Sequence, residues 1–112
     1  MASGTQYVMV WEFRVTQGKE AEFIEKYGRE GIWARFFRNG RGYLRTELVR
    51  DVDDTQRFLT LDHWQSEEEF KSFRQQNLVE YERLDKECER LTETETCLGA
   101  LIRQVEIARA KS

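Results

Sequence analysis

The chain has 112 residues, of which 39% are hydrophobic, 35% charged and 12% aromatic, so it can bury one core and is too rich in aromatic side chains to stay disordered. Its 18 Lys and Arg against 21 Asp and Glu leave a net charge of -3, and the basic residues are scattered instead of forming the stripe that nucleic acid binding uses. No stretch approaches the roughly 20 apolar residues of a membrane span, and the polar start Met1-Ala2-Ser3-Gly4-Thr5 carries no basic region, so a cytoplasmic location with no membrane partner is expected.

From residue 7 to 15 the odd positions Tyr7, Met9, Trp11, Phe13 and Val15 are apolar, the period-two pattern of a strand. Val8 and Val10 make its other face apolar too. After Thr16-Gln17-Gly18, residues 19–27 place Phe23, Ile24 and Tyr27 at helical spacing, with Glu20 and Glu22 at the positive end of the helix dipole. Gly28 and Gly31 interrupt this helix. Ile32, Trp33, Phe36 and Phe37 then resume an apolar stripe that Asn39-Gly40-Arg41-Gly42 ends, so a two-piece helix with an aromatic second half is expected. Gly40-Arg41-Gly42 is read as this helix stop, because it lacks the strand-loop-helix context of a phosphate loop.

Residues 43–50 alternate Leu44, Thr46 and Leu48 with Tyr43, Arg45, Glu47 and Val49. Residues 57–64 alternate Leu59, Leu61 and His63 with Phe58, Thr60, Asp62 and Trp64. These are two strands, and the polar stretch between them is short enough for a hairpin. Asp51, Asp53 and Asp54 are read as its solvated turn, not as a cation site. Ser66-Glu67-Glu68-Glu69 is a capping box that opens one long helix. Phe70, Phe73, Leu78, Tyr81, Leu84, Cys88 and Leu91 keep one face apolar for about six turns. A second box at residues 92–95 precedes a last strand over 96–102, and the charged tail from Arg103 is expected to fray. Cys88 and Cys97 fall on different elements without metal-ligand spacing, and are expected to be buried, reduced thiols.

Two strands joined by a hairpin, each flanked by a helix leading to another strand, define an α+β, ferredoxin-like β-α-β-β-α-β domain spanning the chain, with an ordered core over about 6–102. Both helices cover one face of a four-stranded antiparallel sheet. The other face has no cover within the chain, and pairing of two such faces in a homodimer would provide it.

Several of these segments together resemble the antibiotic biosynthesis monooxygenase family. The resemblance is carried by Tyr7-Val8-Met9-Val10-Trp11-Glu12-Phe13 leading into Gly18-Lys19-Glu20-Ala21-Glu22-Phe23, by Gly42-Tyr43-Leu44, and above all by Asp62-His63-Trp64-Gln65-Ser66. It implies a dimeric α+β barrel. Haem-degrading members of this superfamily characteristically carry a histidine on the second helix, and residues 66–91 contain none. Members that oxidise polycyclic phenols use a tryptophan at the strand-helix turn, which carries over to Trp64 alone.

What the resemblance implies is a cofactor-independent monooxygenase of an aromatic, polyketide-like or quinol substrate, with no metal. Such chemistry asks for a base, donors for the developing oxyanion and a dry apolar cavity. His63, the only histidine, is one candidate base, with packing against a dimer partner as the alternative suggested by its parity with Leu59 and Leu61. Asp62, on Trp64's face, is the other candidate if burial raises its pKa, with a salt bridge or cap as the alternative. Trp64 would supply an apolar wall and an N–H donor, or merely seal the core. Trp11, Trp33, Phe36, Phe37, Phe73 and Tyr81 would line the cavity for a small aromatic or apolar molecule. A ligand-binding module without catalysis, and an isomerase or cyclase using the same base without oxygen, fit the same residues.

Overall fold

The period-two segments form β1 (Gly4–Val15), β2 (Tyr43–Arg50), β3 (Arg57–Trp64) and β4 (Thr92–Val105), in a computed structural model that describes residues 4–105. They make one antiparallel sheet in the order β2-β3-β1-β4. The helices are α1 (Glu20–Tyr27), α2 (Ile32–Phe37), α3 (Glu67–Gln76) and α4 (Leu78–Cys88), followed by a 3₁₀ turn, Glu89–Leu91. Tyr7, Phe13 and Val15 of β1 and Phe58 and Trp64 of β3 meet Phe23, Tyr27, Trp33, Phe37, Phe70, Phe73, Leu84 and Cys88 from the helices in one buried cluster. Each such side chain contributes roughly 1.5–3 kcal/mol on leaving water, which is why period two and period 3.6 converge on the same layer.

The two-piece first helix is present, and Gly31 explains its sharp joint. A Cβ there would lie 2.2 Å from the backbone oxygen of Lys26, so only glycine lets the chain turn back this tightly. At the other end, Gly42 has φ +88° and its carbonyl accepts from the Gln65 amide at 2.7 Å, tying the loop after α2 to the β3–α3 turn. The Ser66 hydroxyl accepts from the Glu69 amide at 3.2 Å, which is half of the expected capping box. The Glu69 carboxylate instead lies toward Arg41.

Four expectations need correction. The single long helix is two helices, because Asn77 leaves the helical region (φ -125°, ψ 29°) and its side-chain amide donates to the Phe73 carbonyl at 2.9 Å, competing locally with the helical ladder. The last strand begins at Thr92 instead of 96 and continues to Val105, because the length of β1 offers partners all the way from Val15 to Gly4. Arg103 therefore lies in a strand, and the expectations for Met1, Ala2, Ser3 and the tail from 106 fall outside the described residues. Cys88 is buried but Cys97 is exposed.

The fourth correction concerns β2. Tyr43 pairs with Trp64 while Arg45 pairs with His63, so Leu44 is an extra residue, a bulge that turns Tyr43 to the helix side. Its ring stands edge-on to Trp64 at 5.3 Å.

The face of the sheet away from the helices carries the half-buried Leu59 and Leu61 and the exposed Val49 and Leu101, the latter 58% accessible, around Val8 and Val10, which their neighbours already bury. Ion pairs edge it: Arg57 bridges Glu12 and Asp51, and Arg14 meets Asp54. The Asp51 and Asp54 carboxylates are thus engaged in holding the turn, with Asp51 also accepting from the amides of Asp53 and Asp54.

Candidate functional site

Between the sheet and the helices lies a cavity of about 270 Å³, near the lower end of the roughly 300–1,000 Å³ usual for ligand pockets. Its apolar wall is built by Trp11 from β1, Tyr27 from α1, Trp33 and Phe37 from α2 and Tyr81 from α4. The rings fix one another: Tyr81 stands edge-on to Trp33 at 5.3 Å, and Tyr27 packs 6.0 Å from Trp33. The two-piece first helix is what delivers Trp33 and Phe37 to the same wall as Tyr27.

The polar patch comes from the sheet. Thr46, Thr60 and Asp62 line the cavity, because Thr60 and Asp62 share a face by period two and Thr46 is the β2 residue directly opposite Asp62. Asp62 is only 9% exposed, and burial pushes its carboxyl up to about 6, although a hydrogen bond from the Thr46 hydroxyl at 2.7 Å pulls it back. A carboxyl in that range is a usable base at neutral pH, being largely ionised yet more basic than an exposed aspartate. Burial likewise raises the Tyr27 and Tyr81 hydroxyls far above their usual range, so both are neutral donors.

Phe13, Arg74, Asp85 and Glu95 complete the lining. The Arg74 guanidinium sits 5.3 Å from the centre of the Tyr81 ring, within reach of a cation–π attraction. Asp85 and Glu95 are both shifted upward, by burial first and by neighbouring carboxylates second. Among the described residues no group of three or more His, Cys, Asp and Glu could hold a metal ion, and no described helix is long and apolar enough to cross a membrane.

Of the residues singled out from sequence, Asp62, Trp11, Trp33, Phe37 and Tyr81 therefore meet around one cavity, and Phe36, Phe73, Trp64 and His63 stand outside it. Trp64 is fully buried, closed in by Phe37, Tyr43, Phe70 and Phe73 at 5.3–5.8 Å. Phe73 packs between Phe36, Phe37 and Trp64. His63 is on the open face, with Nε2 2.6 Å from Glu47 Oε1. Burial lowers its pKa against the opposing pull of Glu47. Phe13, Thr46, Thr60, Tyr27, Arg74, Asp85 and Glu95 were missed. Thr60 was legible from parity with Asp62, and Thr46 from hairpin register. The three rim residues had no local signal, because they meet only through helix packing.

A sheet covered on one side by helices, with a buried acid on the floor of an aromatic cavity, defines a ferredoxin-like α+β protein. The model of the antibiotic biosynthesis monooxygenase family matches residues 6–80, about two-thirds of the chain, and the chain belongs to that family. No curated protein sequence matches closely enough to count as a relative. Among solved structures it is similar to SnoaB, a cofactor-independent oxygenase from Streptomyces nogalater (21% identity, 95% of each chain covered, TM-score 0.63). It is also similar to the monooxygenase ActVA-Orf6 of Streptomyces coelicolor in complex with nanaomycin D (16% identity, 96% and 94% covered, TM-score 0.63). A third is a dimeric ferredoxin-like protein from an uncultured marine organism (14% identity, 96% and 94% covered, TM-score 0.57).

Proposed function

We propose that this protein is a cofactor-independent monooxygenase that oxidises a compact, planar phenol or hydroquinone with dioxygen, using Asp62 as the base. The observation that carries the reading is Asp62 itself: a buried carboxyl on the floor of an aromatic cavity, with its pKa raised toward neutrality. A solvated aspartate would be too weak a base, and an apolar floor would have none.

In this reading Asp62 removes the phenolic proton, and the electron-rich phenolate passes one electron to dioxygen. The two radicals combine, forming a carbon–oxygen bond to a peroxide. Cleavage of the O–O bond leaves one oxygen on the substrate as a carbonyl and releases the other as water. Both hydrogens of that water come from the substrate, one from its phenolic hydroxyl and one from the ring carbon that becomes the carbonyl; the substrate as a whole loses four electrons while dioxygen gains four, and Asp62 passes its proton to the water and ends the cycle as it began. Trp11, Trp33, Phe37 and Tyr81 hold the ring plane and keep water from the peroxide. The family membership and the likeness to two oxygenases support this reading.

We further propose that two copies pair through the open sheet face. A partly exposed apolar patch of Leu59, Leu61, Val49 and Leu101 with an ionic rim is the composition of a protein interface, and a dimeric ferredoxin-like neighbour is consistent with it. His63 would then be an interface residue.

The test is oxygen uptake by the purified protein against a panel of anthrones and hydroquinones. Uptake above the uncatalysed rate is expected in the wild type and in His63→Ala, and loss of it in Asp62→Asn. Uptake that survives Asp62→Asn refutes the assignment of the base. Binding of the panel without uptake favours a ligand-binding module, and turnover without oxygen an isomerase or cyclase.

A further inference from the structure

Asp62 does not stand alone on the cavity floor. The Thr46 hydroxyl lies 2.7 Å from Asp62 Oδ1, and the Tyr43 hydroxyl lies 2.7 Å from Thr46 Oγ1. A carboxylate can only accept, so Thr46 spends its one proton on Asp62 and must accept from Tyr43. With Asp62 ionised the order of donation is therefore fixed: Tyr43 to Thr46 to Asp62. In a regular strand Tyr43 and Thr46, three residues apart, would face opposite sides of the sheet. They share a side because Leu44 is the bulged residue between the pairs Tyr43–Trp64 and Arg45–His63, and bulges commonly re-aim a side chain in this way.

We infer that Thr46 and, through it, Tyr43 are positioning residues for the proposed base, pinning Oδ1 of Asp62 and leaving Oδ2 as the oxygen that takes the substrate's proton. The inference rests on the oxygenase reading for its consequence and on the hydroxyl chain for its geometry. Oδ1 carries the strong hydrogen bond and is the less basic oxygen; among the described residues Oδ2 has no hydrogen-bond partner. Thr46 is 4% exposed, so water cannot readily replace its hydroxyl. Tyr43 is half-buried and also lines a second cleft beside Glu30 and Arg38, where its ring is braced by Phe37 and Trp64. Trp64 thus bears on the site from behind, by holding Tyr43, without touching the cavity.

The other titratable or charged groups around the cavity are Tyr27 from α1, Arg74 from α3, Tyr81 and Asp85 from α4 and Glu95 from β4. None of them makes a hydrogen bond to Asp62. A change at Thr46 should therefore register on Asp62 first.

The experiment follows the Asp62 carboxyl carbon by ¹³C NMR against pH in the substrate-free protein, the signal being assigned by its loss in Asp62→Asn. Thr46→Val is expected to raise the midpoint by about one pH unit, the effect of removing a donor from a charged acceptor. Tyr43→Phe should raise it by less, and Thr46→Ser should leave it near the wild-type value. With a substrate in hand, the acidic limb of the kcat/KM profile should move by the same amount. A midpoint unmoved in Thr46→Val overturns the inference; should that variant not fold, an unmoved midpoint in Tyr43→Phe overturns the part of the chain beyond Thr46, and a raised one supports the whole. Midpoints that move as expected while no substrate consumes oxygen would uphold the positioning and reject the oxygenase reading. Unmoved midpoints with oxygen consumption lost in Asp62→Asn would do the reverse.

Discussion

Asp62→Asn should make the protein more stable, and only above a definite pH. The side chain is nearly isosteric, and its oxygen can still accept from Thr46. What the substitution removes is the cost of holding a charge in the buried cavity floor. In the folded chain the carboxyl titrates at about 6, raised from 3.8; a shift of about two units at roughly 1.4 kcal/mol each corresponds to about 3 kcal/mol. Below pH 4 the carboxyl is protonated in folded and unfolded chains alike, and variant and wild type should differ little. Between pH 4 and 6 the unfolded chain releases the proton while the folded one keeps it, so the wild type loses stability progressively. Above pH 6 the deficit levels off at about 3 kcal/mol. Urea unfolding of both proteins across pH 3.5–8, at one protein concentration, measures the difference, and the other carboxylates cancel because both chains carry them. A difference that is flat with pH, or a wild type that gains on the variant as pH rises through this window, would refute the reasoning. The same substitution should abolish oxygen uptake, so stability and activity move in opposite directions, as expected where a site holds an unfavourable charge for its chemistry.

Gly31→Ala should cost more than about 2 kcal/mol in thermal or urea unfolding, because its Cβ would meet the backbone of Lys26 and Glu25, which cannot move aside as a flexible side chain could. The same variant should weaken binding of aromatic ligands, since Trp33 and Phe37 follow the displaced joint. Ser66→Ala removes the acceptor at the start of α3 and should cost about 1 kcal/mol, with Ser66→Asp restoring it. Leu61→Lys places a charge in the centre of the open face opposite Val10; light scattering should show a monomer where the wild type is a dimer, and a wild-type monomer would remove the proposed interface.

Much of the fold was legible in the sequence because its signals are local. β2 and β3 begin and end where alternation begins and ends, and the joint between α1 and α2 falls at the glycines that punctuate it. The face taken by Asp62, and the opposite face taken by His63, follow from parity along β3. Local reading failed where a non-local partner or a single backbone irregularity intervened. Asn77 breaks the apolar stripe of the second helix without altering its period, β4 is lengthened by the partner it finds in β1, and the bulge at Leu44 reverses the face of Tyr43.

The sequence by itself determined where most strands and helices fall, and that an aromatic layer lies between them, because the spacing of apolar side chains is a property of the chain alone. Only the tertiary structure decided which aromatics seal the core and which surround an opening. Trp64 and Asp62 share a face two residues apart, yet one is closed in by Phe37, Tyr43, Phe70 and Phe73 while the other lines the cavity. That difference arises from how α2, α3 and α4 settle over the sheet, which depends on side chains far apart in the sequence filling the same space.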